Sequence, residues 1–210
     1  MVQAFFPGEE GAGAVAGVLS GRINPSGRLP VSLPRSAGSQ PYSYLHPPLG
    51  GASPVTSLDP TPALPFGHGL SYTSFTRTGL TVDPTAPTDG ALTATVVVTN
   101  TGDRAGEDVV QLYGHDVVAS VTRPTAQLLG YRRVALAAGE SATVRFTVPT
   151  TRLAFSDRDL RRVVEPGEVE LWVGGSCTHR ETVARVELTG PVHAVTVADA
   201  RWSTTDVVRA

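Results

Sequence analysis

The chain has 210 residues, a net charge of −2, 40% hydrophobic residues and one cysteine. That length allows one large or two small domains with a real core, and so near-neutral a balance excludes a bulk electrostatic pull toward nucleic acid or a membrane surface. A lone cysteine excludes an internal disulfide and a cysteine-based zinc cluster; separately, no metal and no cofactor is expected.

Residues 2–6 read as the last part of a strand. A strand that runs directly into a helix belongs to a parallel sheet, which needs earlier strands beside it. No basic start with a long apolar run marks a signal peptide, and no stretch approaches the length of a membrane span. A cytoplasmic location is therefore expected of the chain as it stands. Pro7-Gly8-Glu9-Glu10 turns into a helix near 9–20, where Ala14, Val15, Val18 and Leu19 recur at helical spacing as one apolar stripe. Glu9 and Glu10 fall at the positive end of the helix dipole and read as capping residues. An acid–base pair must flank one bond from opposite sides, and adjacent helical carboxylates diverge. Gly21 stands where a glycine closes a helix.

Asn24-Pro25-Ser26-Gly27 reads as a turn. Residues 28–34 read as an extended piece with Leu29, Val31 and Leu33 on one face and prolines that suit a sheet edge. Arg28 is expected to form an ordinary ion pair. Residues 35–64 form a long irregular segment carrying Tyr42, Tyr44 and His46. Loops of that length are functional or disordered; these aromatics can stack on a sugar ring or anchor the loop. Then comes Pro65-Phe66-Gly67-His68-Gly69-Leu70-Ser71-Tyr72-Thr73-Ser74-Phe75. Gly67 and Gly69 permit backbone angles other residues avoid. Phe66, Tyr72 and Phe75 are large enough to pin such a segment on a neighbouring core. The stretch reads as a shaped connector that docks one layer on another.

From Gly79 the period becomes two. Leu92, Ala94, Val96 and Val98 alternate with polar or outward positions, and further strands are expected at 108–113, 128–136, 141–148, 168–173 and 184–188, with an extra one at 195–197. Asn100-Thr101-Gly102-Asp103 makes a turn. The loop 115–125 holds Asp116, Arg123 and Pro124. Asp157 and Asp159 lie close together, but FSDRDLRR reads as a turn between strands. Trp172 alternates to the outward side, where it is either a carbohydrate platform or a packing residue. Cys177 reads as a half-buried thiol without a nucleophile's neighbours. Six or more short strands separated by turns indicate an antiparallel sandwich.

Three blocks carry a family resemblance in order and spacing. FFPGEEGAGAVAGVLSGRINPSGRLPVSLP at 5–34 and PFGHGLSYTSF at 65–75 resemble the end of the second domain of glycoside hydrolase family 3 enzymes, the β-glucosidases and β-xylosidases. VVQLYGHDVVASVTRPTAQLLGYRRV resembles a section of their fibronectin type III-like domain. The fold class this implies is mainly β: an immunoglobulin-like antiparallel β-sandwich preceded by a partial α/β segment. The implied division is 1–75 for the end of the α/β domain, 76–190 for the fibronectin-like domain, and 191–210 for a tail with an extra strand. The resemblance implies retaining β-glycoside hydrolysis, whose nucleophile lies in a barrel domain and whose acid/base lies in a segment before PGEEG. Both fall outside these 210 residues, so no catalytic residue is carried over and the isolated chain is expected to be inactive. The expected partners are the N-terminal barrel portion or a second copy of the chain, with carbohydrate as a ligand. The alternative is a stand-alone carbohydrate- or protein-binding sandwich. Tyr44, His46, His68 and Arg123 are the residues set forward for substrate contact, each weighed against a structural role. Neither histidine has a carboxylate at metal-site spacing.

Overall fold

The structure, a computed structural model, describes residues 2–39 and 43–209. Its first regular element is helix α1 (Gly11–Leu19), at whose N-cap stands Glu10. Glu10 makes no side-chain capping bond, so the capping expected of the acidic pair is at most electrostatic. The buried face of α1 is made by Gly11 and Gly17, not by the apolar stripe. A Cβ on Gly17 would lie 2.5 Å from Cδ1 of Ile23, so the chain folds back under the helix only because that position is glycine. Gly21, at φ +76°, reverses the chain as expected, and its N–H bonds Val18 O at 3.0 Å. Leu19 is left 71% exposed. The strand expected at 2–6 does not form. Those residues are exposed and irregular, because no neighbouring strand among the described residues takes up their backbone groups.

From Phe75 onward the described residues form twelve strands. They are β1 (Phe75–Val82), β2 (Thr85–Pro87), β3 (Ala91–Asn100), β4 (Gly106–Asp116), β5 (Gln127–Leu136), β6 (Ser141–Pro149), β7 (Phe155–Ser156), β8 (Arg162–Val164), β9 (Gly167–Val173), β10 (Thr182–Thr189), β11 (His193–Ala194) and β12 (Thr204–Arg209). One sheet has the order β1-β3-β6-β12, a second β2-β10-β9-β4-β5, and a small third β11-β8-β7. Pairing is antiparallel throughout except between β2 and β10. The extra strand expected at 195–197 is absent. The tail instead makes the short β11 and then β12, which pairs with β6 from Thr204↔Thr147 to Arg209↔Ala142. Thr204 to Arg209 carries the alternation a sheet edge can use, whereas Thr196 and Asp199 lock 196–199 into a side-chain-bonded turn.

The sandwich core follows the period-two pattern. Leu92, Ala94, Val96 and Val98 of β3 and Ala142, Val144, Phe146 and Val148 of β6 are buried against Val110 and Leu112 of β4 and Val169, Leu171 and Val173 of β9. Strand β4 breaks the alternation: it is buried continuously from Asp108 to Gly114. A strand buried on both faces must be covered twice. Its inner face meets the sandwich core, and its outer face is covered by residues of 24–33 and 63–68.

Candidate functional site

Residues 28–33 and 63–68 pair locally and form a strip. Leu29 N–H donates to His68 O at 2.9 Å, Gly67 N–H to Leu29 O at 2.9 Å, and Leu33 N–H to Leu64 O at 2.8 Å. Ser32 is buried between them and accepts from Phe66 N–H at 3.0 Å. The strip crosses the outer face of β4, and three sets of contacts hold it there.

The first is ionic. Asp108, fully buried, accepts from Arg28 Nη2 at 2.6 Å on Oδ1, and from Arg77 Nη2 at 2.7 Å and Nε at 2.9 Å. Arg77 also donates from Nη1 to Glu181 Oε1 at 2.7 Å. Burial works against the Arg77 charge, but Asp108 and then Glu181 outweigh it and hold the guanidinium above its ordinary pKa. The ion pair expected of Arg28 is thus present, and it joins the strip to the sandwich.

The second is a close backbone approach. Gln111 Nε2 donates to Gly67 O at 3.1 Å, and Tyr113 Oη donates to Gln111 Oε1 at 2.9 Å. A Cβ on Gly67, whose φ is +83°, would lie 2.2 Å from the Tyr113 hydroxyl. A Cβ on Gly69 would lie 2.2 Å from Gly27 O. Both glycines are therefore demanded by contact, and the first by φ as well.

The third is a run of aromatic rings. Tyr44 stacks on Phe66 with centroids 4.0 Å apart, Phe66 meets Tyr113 edge-on at 6.4 Å, and Tyr113 stacks on Trp172 at 5.7 Å. The guanidinium of Arg180 closes the run 4.0 Å from the Trp172 ring centre. Trp172, expected on an outward position, is fully buried. Its strand position does face away from the sandwich core, but the second layer covers it. Cys177 lies in the same cluster, and burial pushes its thiol up to about 11. Burial also raises the Tyr44 and Tyr113 hydroxyls.

Beside the run opens a cleft of about 550 Å³, bordered by Ser32, Arg35, Tyr44, His46, Cys177 and Arg180. The structure brings Tyr44 and His46 together here. Tyr44 Oη accepts from Leu128 N–H at 3.3 Å, which ties the long loop to β5. His46 presents its carbonyl to Thr125 N–H at 3.0 Å, and its Nδ1 lies 2.9 Å from Pro47 O. His68 is half-buried and is not part of the cleft lining; burial and then the Arg28 charge lower its pKa. Arg123 lies elsewhere again. It is buried, donates from Nη2 to Leu153 O at 2.6 Å, sits 3.3 Å from Asp116 Oδ2 through Nε, and covers the Phe155 ring at 4.3 Å. Burial raises the Asp116 pKa despite that arginine. Tyr42 lies outside the described residues. Asp157 accepts from the backbone N–H groups of Asp159 and Arg161, each at 2.9 Å, as a turn residue does. Among the described residues no three His, Cys, Asp or Glu side chains converge as metal ligands.

Sequence reasoning missed the residues that receive the strip: Gln111 and Tyr113 on the outer face of β4, and Asp108, which shares the inner-facing side with Val110 and Leu112 and meets Arg28 and Arg77 at the end of the strand. Their signal was available: in Asp-Val-Val-Gln-Leu-Tyr two polar residues stand in a run that is otherwise apolar, which an ordinary half-exposed strand does not need.

Residues 1–72 match the model of the glycosyl hydrolase family 3 C-terminal domain, and residues 108–177 that of a fibronectin type III-like domain. The chain belongs to glycosyl hydrolase family 3. Within that family it is 41% identical over 187 residues to a periplasmic β-glucosidase of Salmonella typhimurium, covering 83% of this chain and 24% of the relative. It is 40% identical over 180 residues to a β-xylosidase of Formosa agariphila, covering 84% of this chain and 25% of the relative. The crystal structure of a β-glucosidase from Listeria innocua in complex with glucose superimposes with a TM-score of 0.83 at 34% identity, covering 90% of this chain and 28% of that one. The family 3 chain described here thus spans about a quarter of the length of the relatives it matches. The expected mainly-β fold, a fibronectin-like sandwich preceded by a family 3 segment, is the fold observed. No helix among the described residues is long and apolar enough to cross a membrane.

Proposed function

We propose that the chain is the C-terminal structural portion of a family 3 β-glycosidase acting on β-glucosides or β-xylosides, and that it supplies neither nucleophile nor acid/base. Its working units are the α/β remnant at 1–75, the fibronectin-like sandwich at 76–190, and a tail at 191–210 that adds β12 to it. The observation that carries this reading is that the first segment is tied to the sandwich yet leaves large apolar side chains in water. It is fixed to β4 through Arg28, Gly67 and Phe66. Phe6 is wholly exposed, and Leu19, Leu49 and Leu70 are each more than two-thirds exposed. Burying each such side chain is worth about 1.5–3 kcal/mol, so the segment favours a covering partner. The partner is the N-terminal barrel portion of the enzyme, and a second copy of the chain takes its place when that portion is missing. Tyr44 and His46, on the cleft, are the residues assigned to the sugar; His68 and Arg123, which lie outside the cleft lining, are given structural roles.

Purified chain should give no turnover of aryl β-glucosides or β-xylosides above a buffer control, and should self-associate with rising concentration in sedimentation experiments. Adding the catalytic portion of the glycosidase should disperse the self-associated form into a mixed complex. Turnover that disappears when a carboxylate of this chain is replaced, or a strict monomer at every concentration, would overturn the reading.

A further inference from the structure

A second groove, of about 540 Å³, lies away from the strip, between β5 and the segment that enters β12. These two strands are the outer edges of the two sheets of the sandwich, so the groove is the seam where the sandwich stays open. Trp202 stands over it, 82% exposed. The backbone around that ring is not loose. Ser203 Oγ donates to Leu129 O at 2.6 Å across the seam, and Thr151 Oγ1 donates to Ala200 O on the other side. An indole in water between two fixed points is a presented surface, in contrast to the buried Trp172. Tyr131, 65% exposed, is another border residue on the β5 side.

The charge of the groove is one-sided. Arg132, Arg133 and Arg152 border it, and no carboxylate does. Arg133 is held by Glu107 at 2.8 Å. Arg152 gives Nη2 to Leu128 O at 2.9 Å, while its buried Nε has no partner. Arg132 forms no ion pair among the described residues. Arginines on an exposed sheet edge also discourage strand pairing, but an exposed indole works against that purpose, so edge protection does not account for the groove. Strand addition by a peptide is hindered here too. The β4–β5 register jumps from Leu112↔Gly130 to Tyr113↔Leu128, which leaves Leu129 as a bulge in the edge strand.

We propose that this groove binds an acidic saccharide, with a pyranose ring stacked on Trp202 and the uronate carboxylate taken by Arg132 and Arg152. The apolar face of a sugar ring matches an indole, a planar guanidinium matches a carboxylate, and Ser203 and Thr205 bring hydroxyls to the same wall. The site is separate from the cleft of Tyr44 and His46 and does not depend on catalysis by the complete enzyme.

Titration of the full chain with trigalacturonic acid, followed by tryptophan fluorescence and calorimetry, tests it. Saturable binding with a Kd of about 0.1–1 mM is expected, with a fluorescence change from the exposed indole. Trp202→Ala and Arg132→Ala should each weaken binding about tenfold, and Trp202→Phe less. Thermal melts of these surface variants should match the parent, which separates lost binding from lost fold. Cellotriose, neutral and of the same length, should bind at least about tenfold more weakly. The proposal is overturned by no saturation at 5-fold the upper expected Kd (~5 mM), by equal affinity for cellotriose, by Trp202→Ala leaving affinity unchanged, or by a glutamate-rich peptide binding as well as the saccharide.

Discussion

Asp108 shows how much a single side chain can be asked to hold. It is fully buried, yet it stands between two guanidinium groups, Arg28 and Arg77, which are themselves nearly out of solvent. Charges in such a place are tolerated only as a set, because removing one leaves the others buried and unmatched. Asp108→Asn should therefore destabilise the chain by roughly 3–5 kcal/mol, seen as a lower urea midpoint. Glu181→Gln, at a partner 20% exposed, should cost clearly less. Equal losses would show that the network is not centred on Asp108.

Cys177 gives the pH counterpart. Its thiol is raised from an ordinary value of 9.0 to about 11, so between those values the folded chain keeps a proton that the unfolded chain has released. Stability then falls as pH rises from 9 toward 11. At pH 8 the native thiolate fraction should be about a hundredfold below that of an unfolded cysteine. Iodoacetamide should accordingly label the native protein on that slower scale, and a native rate equal to the rate in urea would contradict the assignment.

At the scale of elements, the strip of 28–33 and 63–68 is the piece on which the two layers depend. It is short, carries one proline in each half, Pro30 and Pro65, and makes only a few backbone bonds, so it cannot stand as a hairpin by itself. It is stable because β4 lends it Asp108, Gln111 and Tyr113. Gly67→Ala should test this coupling. The substitution meets an unfavourable φ, worth about 1–2 kcal/mol, and a collision with Tyr113 as well. Gly8→Ala meets only the first, since Gly8 has φ +71° but nothing within 4 Å of its Cβ. Thermal melting should show a larger loss for Gly67→Ala than for Gly8→Ala. If the two variants melt alike, the close approach at Gly67 carries no energy.

Across the whole molecule the contrast lies between 63–75, tied into the sandwich, and 51–59, which is mostly exposed with only local hydrogen bonds. Limited proteolysis should cut first within 51–59, and the fragment that begins there should keep a sandwich melting as one unit. Cleavage inside β3 or β6 at the same early time would show that the sandwich is the weaker part. Starting the chain near Ser74 would be a harsher change. It removes Arg28 and Phe66, and so leaves Asp108 with Arg77 alone and Tyr113 uncovered on the outer face of β4.

Features that depend on local pattern are legible in the residues alone. The alternation of Leu92 to Val98 and of Ala142 to Val148 sets strands and an inner face, because a period of two puts every second side chain on one side. Gly21 ends the helix, and Asp157 makes its turn, through bonds to residues a few positions away. The motifs at 5–34 and 65–75 carried the family. Which surfaces meet is set by contacts between distant parts of the chain. Trp172 and Tyr113 stand on the outward side of their strands and would be exposed if the sandwich were alone. They are buried because Phe66 and Tyr44, more than 45 residues earlier, are laid over them. Residues 2–6 have the composition of a strand but remain irregular, since a strand exists only with a neighbour to bond. Thr204 to Arg209 becomes β12 because β6 offers an open edge, and the cleft of Tyr44 and His46 exists because the strip and the sandwich close on each other. Periodicity reports the environment on one element; burial on its second face, and any site made between layers, depends on contacts far apart in the chain.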